Sequence, residues 1–170
     1  MKTRSVVPTA LLAPFLASMV LAGCAGAVDP DPDAPTSAAV VQGEIGFRAD
    51  TQIMESFPVQ LRTTVVMVNR AKGTTRLDLA SGCPVQLRVY RNEERTRLAW
   101  DQGRVIACTQ QIQTLQLAPS DTAQRSAGSN AREILGDSLP DGRYWLSAYV
   151  QVVGAPLLVP AGAADLGVPR

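Results

Sequence analysis

The sequence of 170 residues contains no histidine. That absence removes the Ser-His-Asp triad, the Cys-His pair and every histidine metal ligand at once. Lysine is nearly absent too: Lys2 opens the chain and Lys72 is the only other one. A Ser-Lys dyad would need Lys72, which sits in the turn Asn69-Arg70-Ala71-Lys72-Gly73 and is expected to be solvated. There is no G-x-S-x-G elbow and no P-loop. Cysteine is scarce, with 3 residues in all, and two cysteines without histidine make a poor zinc site. Neither a cofactor nor a metal is expected. Charge of one sign is lacking as well. Without Lys2 and Arg4, the 16 basic residues become 14 against 15 acidic ones. That balance argues against general affinity for nucleic acid or an anionic membrane. Finally, no apolar run is long enough to span a bilayer. Val6 to Val20 is short of roughly 20 residues and is broken by Pro8 and Pro14.

What that run does have is the form of an export signal. Lys2 and Arg4 precede it, and the small residues Ala22 and Gly23 follow it. Leu21-Ala22-Gly23-Cys24 resembles the lipobox of bacterial lipoproteins. The resemblance implies a signal peptide over 1–23, a diacylglycerol on the Cys24 thiol, and a protein held at a membrane through that lipid. Ala25 in place of Asp implies, in a cell with two membranes, the outer one, facing the periplasm or the surface. The alternative is ordinary cleavage at Ala25-Gly26-Ala27, which would release a soluble secreted protein. After the cysteine, Asp29-Pro30-Asp31-Pro32-Asp33-Ala34-Pro35 has little apolar surface to bury, and its prolines suit neither helix nor sheet interiors. Residues 24–40 therefore read as a lipidated cysteine and a disordered tether, with a reach of up to about 50 Å at about 3.1 Å per residue. Reading the aspartates as a calcium loop fails for want of the glycine and terminal glutamate such loops use.

Residues 41–170 read as one domain, all-β. Val85, Leu87 and Val89 point one way and Gln86, Arg88 and Tyr90 the other; Tyr144, Leu146, Ala148 and Val150 form a second apolar face. Short alternating runs between Gly, Pro, Asn and Asp turns predict an antiparallel β-sandwich. Residues 123–135 read as a long loop with room for one helical turn. The corner Pro140-Asp141-Gly142 leads into Tyr144, whose hydroxyl is expected to bond back to the turn backbone as in a tyrosine corner; a plain core tyrosine is the alternative. Cys83 and Cys108 are expected to pair in an exported domain, with Cys83 opening one strand and Cys108 ending a later one. Two buried free thiols are the alternative.

The order of these pieces resembles a known family. Asn69 follows the long strand from Val65; then come Leu77-Asp78-Leu79, Ser81-Gly82, Val85 to Tyr90, Leu98-Ala99-Trp100-Asp101, Leu115-Gln116-Leu117 and Leu139 to Tyr144. Over about residues 58–153 this is similar to the BsuPI-type intracellular proteinase inhibitor domain, an immunoglobulin-like sandwich. The resemblance implies binding and inhibition of a serine proteinase. The chain departs from it in being exported and in carrying a cysteine pair. Three functions follow in order. The first is a non-catalytic envelope lipoprotein whose sandwich is a binding or accessory module, with a protease or an envelope component as protein partner. The second is an extracytoplasmic proteinase inhibitor. The third is a hydrolase using carboxylates alone, with Asp78, Asp101, Asp121, Asp137 and Asp141 as candidates. An inhibitory loop would have to come from residues 110–113 or 122–131.

Overall fold

The computed structural model describes residues 39–167. Cys24, the expected export signal over 1–23 and most of the expected tether lie outside the described residues. Ten strands and one short helix are found among those described: β1 (Val40–Gln42), β2 (Ile45–Met54), β3 (Gln60–Asn69), β4 (Thr75–Leu79), β5 (Val85–Tyr90), β6 (Leu98–Asp101), β7 (Gln113–Leu117), β8 (Thr122–Asn130), α1 (Ala131–Leu135), β9 (Gly142–Val150) and β10 (Leu157–Leu166). The first strand thus begins at Val40, the last residue assigned to the tether.

Two four-stranded antiparallel sheets, in the orders β1-β2-β3-β8 and β10-β9-β5-β6, form a sandwich. β4 and β7 make a two-stranded ribbon, joined to the second sheet through a Leu79–Val152 bridge. Alternation decides which side chains go in. Phe47 and Ala49 of β2, Leu61, Val65 and Met67 of β3, and Leu87 and Val89 of β5 are buried together with Leu146, Ala148 and Val150 of β9. Each buried aliphatic side chain contributes about 1.5–3 kcal/mol relative to an exposed one.

The end of β3 shows why asparagine stands there. Asn69 is buried, and its Nδ2 donates to the carbonyls of Gly73, Leu117 and Ala118 at 2.8, 2.8 and 3.1 Å. Its Oδ1 accepts from the Ala71 N–H and the Thr75 hydroxyl. One short amide therefore ties the β3–β4 turn to the end of β7.

Two expectations need correction. Residues 122–131 are not an exposed loop: 122–130 are β8, paired with β3 from Thr122↔Val68 to Asn130↔Gln60. The strand escaped notice because its buried positions carry only Ala127 and Ser129, so no apolar period marks it. Nor do the cysteines sit at strand ends: Cys83 lies in a bend two residues before β5 begins at Val85. Cys108 lies in the irregular segment 105–112, after a 3-10 turn at Gln102–Arg104.

Candidate functional site

The outer face of β5 carries Gln86, Arg88 and Tyr90, next to Tyr149 and Trp145 of β9. Arg88 is the centre of this face. Its Nε lies 3.0 Å from Asp101 Oδ2, as an ion pair rather than an aligned hydrogen bond. Its guanidinium stacks 3.9 Å from the centroid of the Tyr149 ring, a geometry favoured by the ring quadrupole. Burial pushes the Tyr90 phenol above its ordinary range, while the Arg88 charge and hydrogen bond pull the other way. The neighbouring Ser147 hydroxyl is buried without a hydrogen-bond partner.

Asp101 also accepts from Gly103 N at 3.0 Å and so opens the 3-10 turn. The next side chain, Gln102, joins the sheets: its Oε1 accepts from Leu87 N on β5 and its Nε2 donates to Gly128 O on β8. From there the chain runs through 105–112 without regular structure. Val105 and Ile112 are 63% and 62% exposed, and Ile106 is also exposed. The segment is fixed near its middle. Cys108 is disulfide-bonded to Cys83, with their Cα atoms 5.6 Å apart, and Thr109 O accepts from Gly82 N at 2.9 Å. Between this segment and the outer face lies a groove of about 780 Å³, lined by Gln86, Arg88, Ile106, Ile112, Tyr149 and Val153 among others.

The remaining residues singled out in the sequence fall elsewhere. Tyr144 is buried, and its hydroxyl donates to Pro140 O at 2.6 Å. Gly142, at φ +154°, makes the corner in a region that favours glycine. The five candidate carboxylates are spread over four segments of the fold. Asp78 on β4 pairs with Arg76 and accepts from Thr114, and the Arg76 hydrogen bond chiefly holds its carboxyl below the ordinary range. Asp121 accepts from Ala118 N in a turn. Asp137 and Asp141 follow α1. Among the described residues, no group of three or more His, Cys, Asp or Glu side chains is placed to hold a metal.

Sequence reasoning missed the Arg88–Tyr149–Asp101 cluster and most of the exposed segment. The signal for the segment was local: Val105-Ile106 and Ile112 are apolar residues outside any period-two run, flanking a cysteine among Thr and Gln. The cluster had no such signal, since cross-strand register is needed to bring its members together.

The family described as BsuPI, intracellular proteinase inhibitor, matches residues 48–155 of the chain. No curated protein matches it. Among solved structures, a protein of Bordetella pertussis assigned as ApaA aligns with a TM-score of 0.39 at 17% identity, covering 80% of this chain and 99% of its own. A β-glucosidase of Kluyveromyces marxianus bound to glucose gives 0.38 at 10% identity, with 71% of this chain matched to 14% of the enzyme. The alkylpurine DNA glycosylase AlkC of Pseudomonas fluorescens, bound to DNA with an abasic site analogue, gives 0.39 at 10%, with 76% and 32% covered. Scores this low carry no argument about activity. The family match, by contrast, takes in more than half of the chain, from within β2 to just beyond β9. It includes the Asn69 turn, both cysteines, the groove and the Tyr144 corner: the chain belongs to the BsuPI intracellular proteinase inhibitor family.

Proposed function

We propose that this protein is a non-catalytic proteinase inhibitor acting outside the cytoplasm, held at a membrane through Cys24, with residues 105–112 and the adjoining groove as its contact surface. Family membership reverses the order of the first two readings drawn from the sequence, and the broader one, a binding module of the cell envelope, contains this one.

The observation that carries the surface assignment is the pinned segment. It exposes Val105 and Ile112, yet a disulfide and a backbone hydrogen bond fix it at Cys108 and Thr109. A contact loop already held in place loses less conformational freedom on binding, which favours affinity. Beside it, the groove offers an arginine and a tyrosine, residue types enriched among binding hot spots. The arrangement suits binding rather than turnover, because Arg88 and Asp101 are engaged with each other and Asp101 also holds a turn.

The test is a titration against a panel of serine proteinases, comparing the parent with a Val105→Asp/Ile112→Asp variant and checking the fold of each by circular dichroism. Inhibition by the parent and a loss of at least about tenfold in the variant, equivalent to about 1.4 kcal/mol, is the expected result. Equal inhibition by both would remove the surface assignment. Inhibition of none of the proteinases would remove the inhibitor reading. The anchor is tested separately by the intact mass of the membrane-extracted protein, which should carry acyl chains lost on Cys24→Ser.

A further inference from the structure

A second, smaller hollow adjoins the exposed segment. It holds about 290 Å³ and is lined by Trp100 of β6, Gln102, Val105, Ile106 and Glu133 of α1. Ile106 lines both this hollow and the groove, so the two are continuous. Sites for whole small molecules start at about 300 Å³. The hollow therefore has the size of one long side chain.

Its chemistry is divided. Trp100, Val105 and Ile106 supply apolar walls, and the face of an indole attracts cations. The Gln102 amide is already engaged, accepting from Leu87 N and donating to Gly128 O. Glu133 is the charged group of the lining. It is the third residue of α1, where a capping-box glutamate would fold back onto the N-cap amide. Here its Oε2 accepts from the hydroxyl of the buried Ser129 at 2.8 Å, which orients the carboxylate. Among the described residues, no arginine or lysine pairs with Glu133. The groove differs, since its Arg88 and Asp101 compensate each other. The hollow keeps an uncompensated carboxylate beside an aromatic wall.

We propose that this hollow receives a lysine or arginine side chain of the partner protein, with the methylenes against Val105 and Ile106 and the cationic head between the Trp100 ring and Glu133; this rests on the reading of residues 105–112 as the contact surface. A purely apolar occupant would desolvate the carboxylate without pairing it, at a cost in free energy. An acidic occupant would be repelled. A long cationic side chain meets both halves of the lining at once, because its stem is apolar and only its tip is charged.

The experiment uses the chain from Cys24 onward with Cys24→Ser, which retains every described residue. The probes are three blocked tripeptides, acetyl-Ala-X-Ala-amide, with lysine, arginine or norleucine at X. Norleucine keeps the lysine stem and lacks the ammonium. The indole N–H resonance of Trp100, told apart from that of Trp145 by a Trp145→Phe variant, reports binding in the hollow. The lysine and arginine peptides should shift it saturably and bind at least about fivefold more tightly than the norleucine peptide. Glu133→Gln retains an acceptor for Ser129 and removes the charge, so it should sharply reduce that preference. Equal affinity for all three peptides would overturn the inference. So would a preference untouched by Glu133→Gln, or no shift of the Trp100 resonance with any peptide. No proteinase takes part, which keeps the result separate from the inhibition assay. Cation binding without inhibition would remove the inhibitor reading alone, and inhibition without cation binding would remove the side-chain assignment alone.

Discussion

Tyr144 is the most informative single residue. Its ring is buried with Leu146 and Val150, and its hydroxyl holds the Pro140 carbonyl. Tyr144→Phe strands that carbonyl and should cost about 1–3 kcal/mol. Tyr149 presents its ring to Arg88 on the outer face. Tyr149→Phe keeps the ring, so its cost should be smaller. Urea melts of the two variants decide this, and equal midpoints would contradict the corner. The phenols also set an alkaline limit. Burial chiefly raises both Tyr144 and Tyr90 above the ordinary value of 10.0. The unfolded chain loses these protons first, so the stabilisation is complete below about pH 10 and is lost as pH rises through the folded values. Melting temperature should fall above pH 10 in the parent, and less steeply in Tyr144→Phe. An equal slope in both would rule Tyr144 out as a cause.

At the scale of the element, legibility followed side-chain size. β5 and β9 were plain in the sequence because Val, Leu and Tyr recur at every second position on a buried face. β8 was not, since Ala127 and Ser129 are too small to register as a hydrophobic pattern even though they are buried. β10 was equally hidden. Its register shifts between Pro160 and Ala163, so its alternation breaks midway and the strand reads as a Pro/Gly/Ala tail. α1 has five residues, too few for a helical stripe, and it is defined by its caps: Asn130 Oδ1 accepts from Glu133 N, and Gly136, at φ +51°, ends it. The candidate contact segment was legible only in part, through Gln110 to Gln113. The disulfide that braces it closes a loop with a separation of 25 residues. By the chain-entropy model, Cys83→Ala/Cys108→Ala should cost about 3.5 kcal/mol. Denaturant melts measure this, and non-reducing mass spectrometry of parent protein from its own compartment should find no free thiol at either position.

For the molecule as a whole, one buried cluster draws side chains from both sheets, from β4 and β7, and from α1. No layer has a core of its own. Unfolding followed by tyrosine and tryptophan fluorescence and by amide circular dichroism should therefore give coincident transitions; separated ones would mean that the β4–β7 ribbon or the outer strands melt independently. The shortest strand adds a mechanical property. β1 has three residues paired antiparallel to β2, with Val40 opposite Phe47 and Gln42 opposite Ile45. A force drawing Val40 along the strand axis would strain the paired backbones together in shear instead of peeling them apart one by one. If the seam yields, about 10 Å of slack is released, while Ile45 and Phe47, which belong to β2, stay in the core. Under such a force β1 would act as a short sacrificial link, yielding before the strands that bury the core.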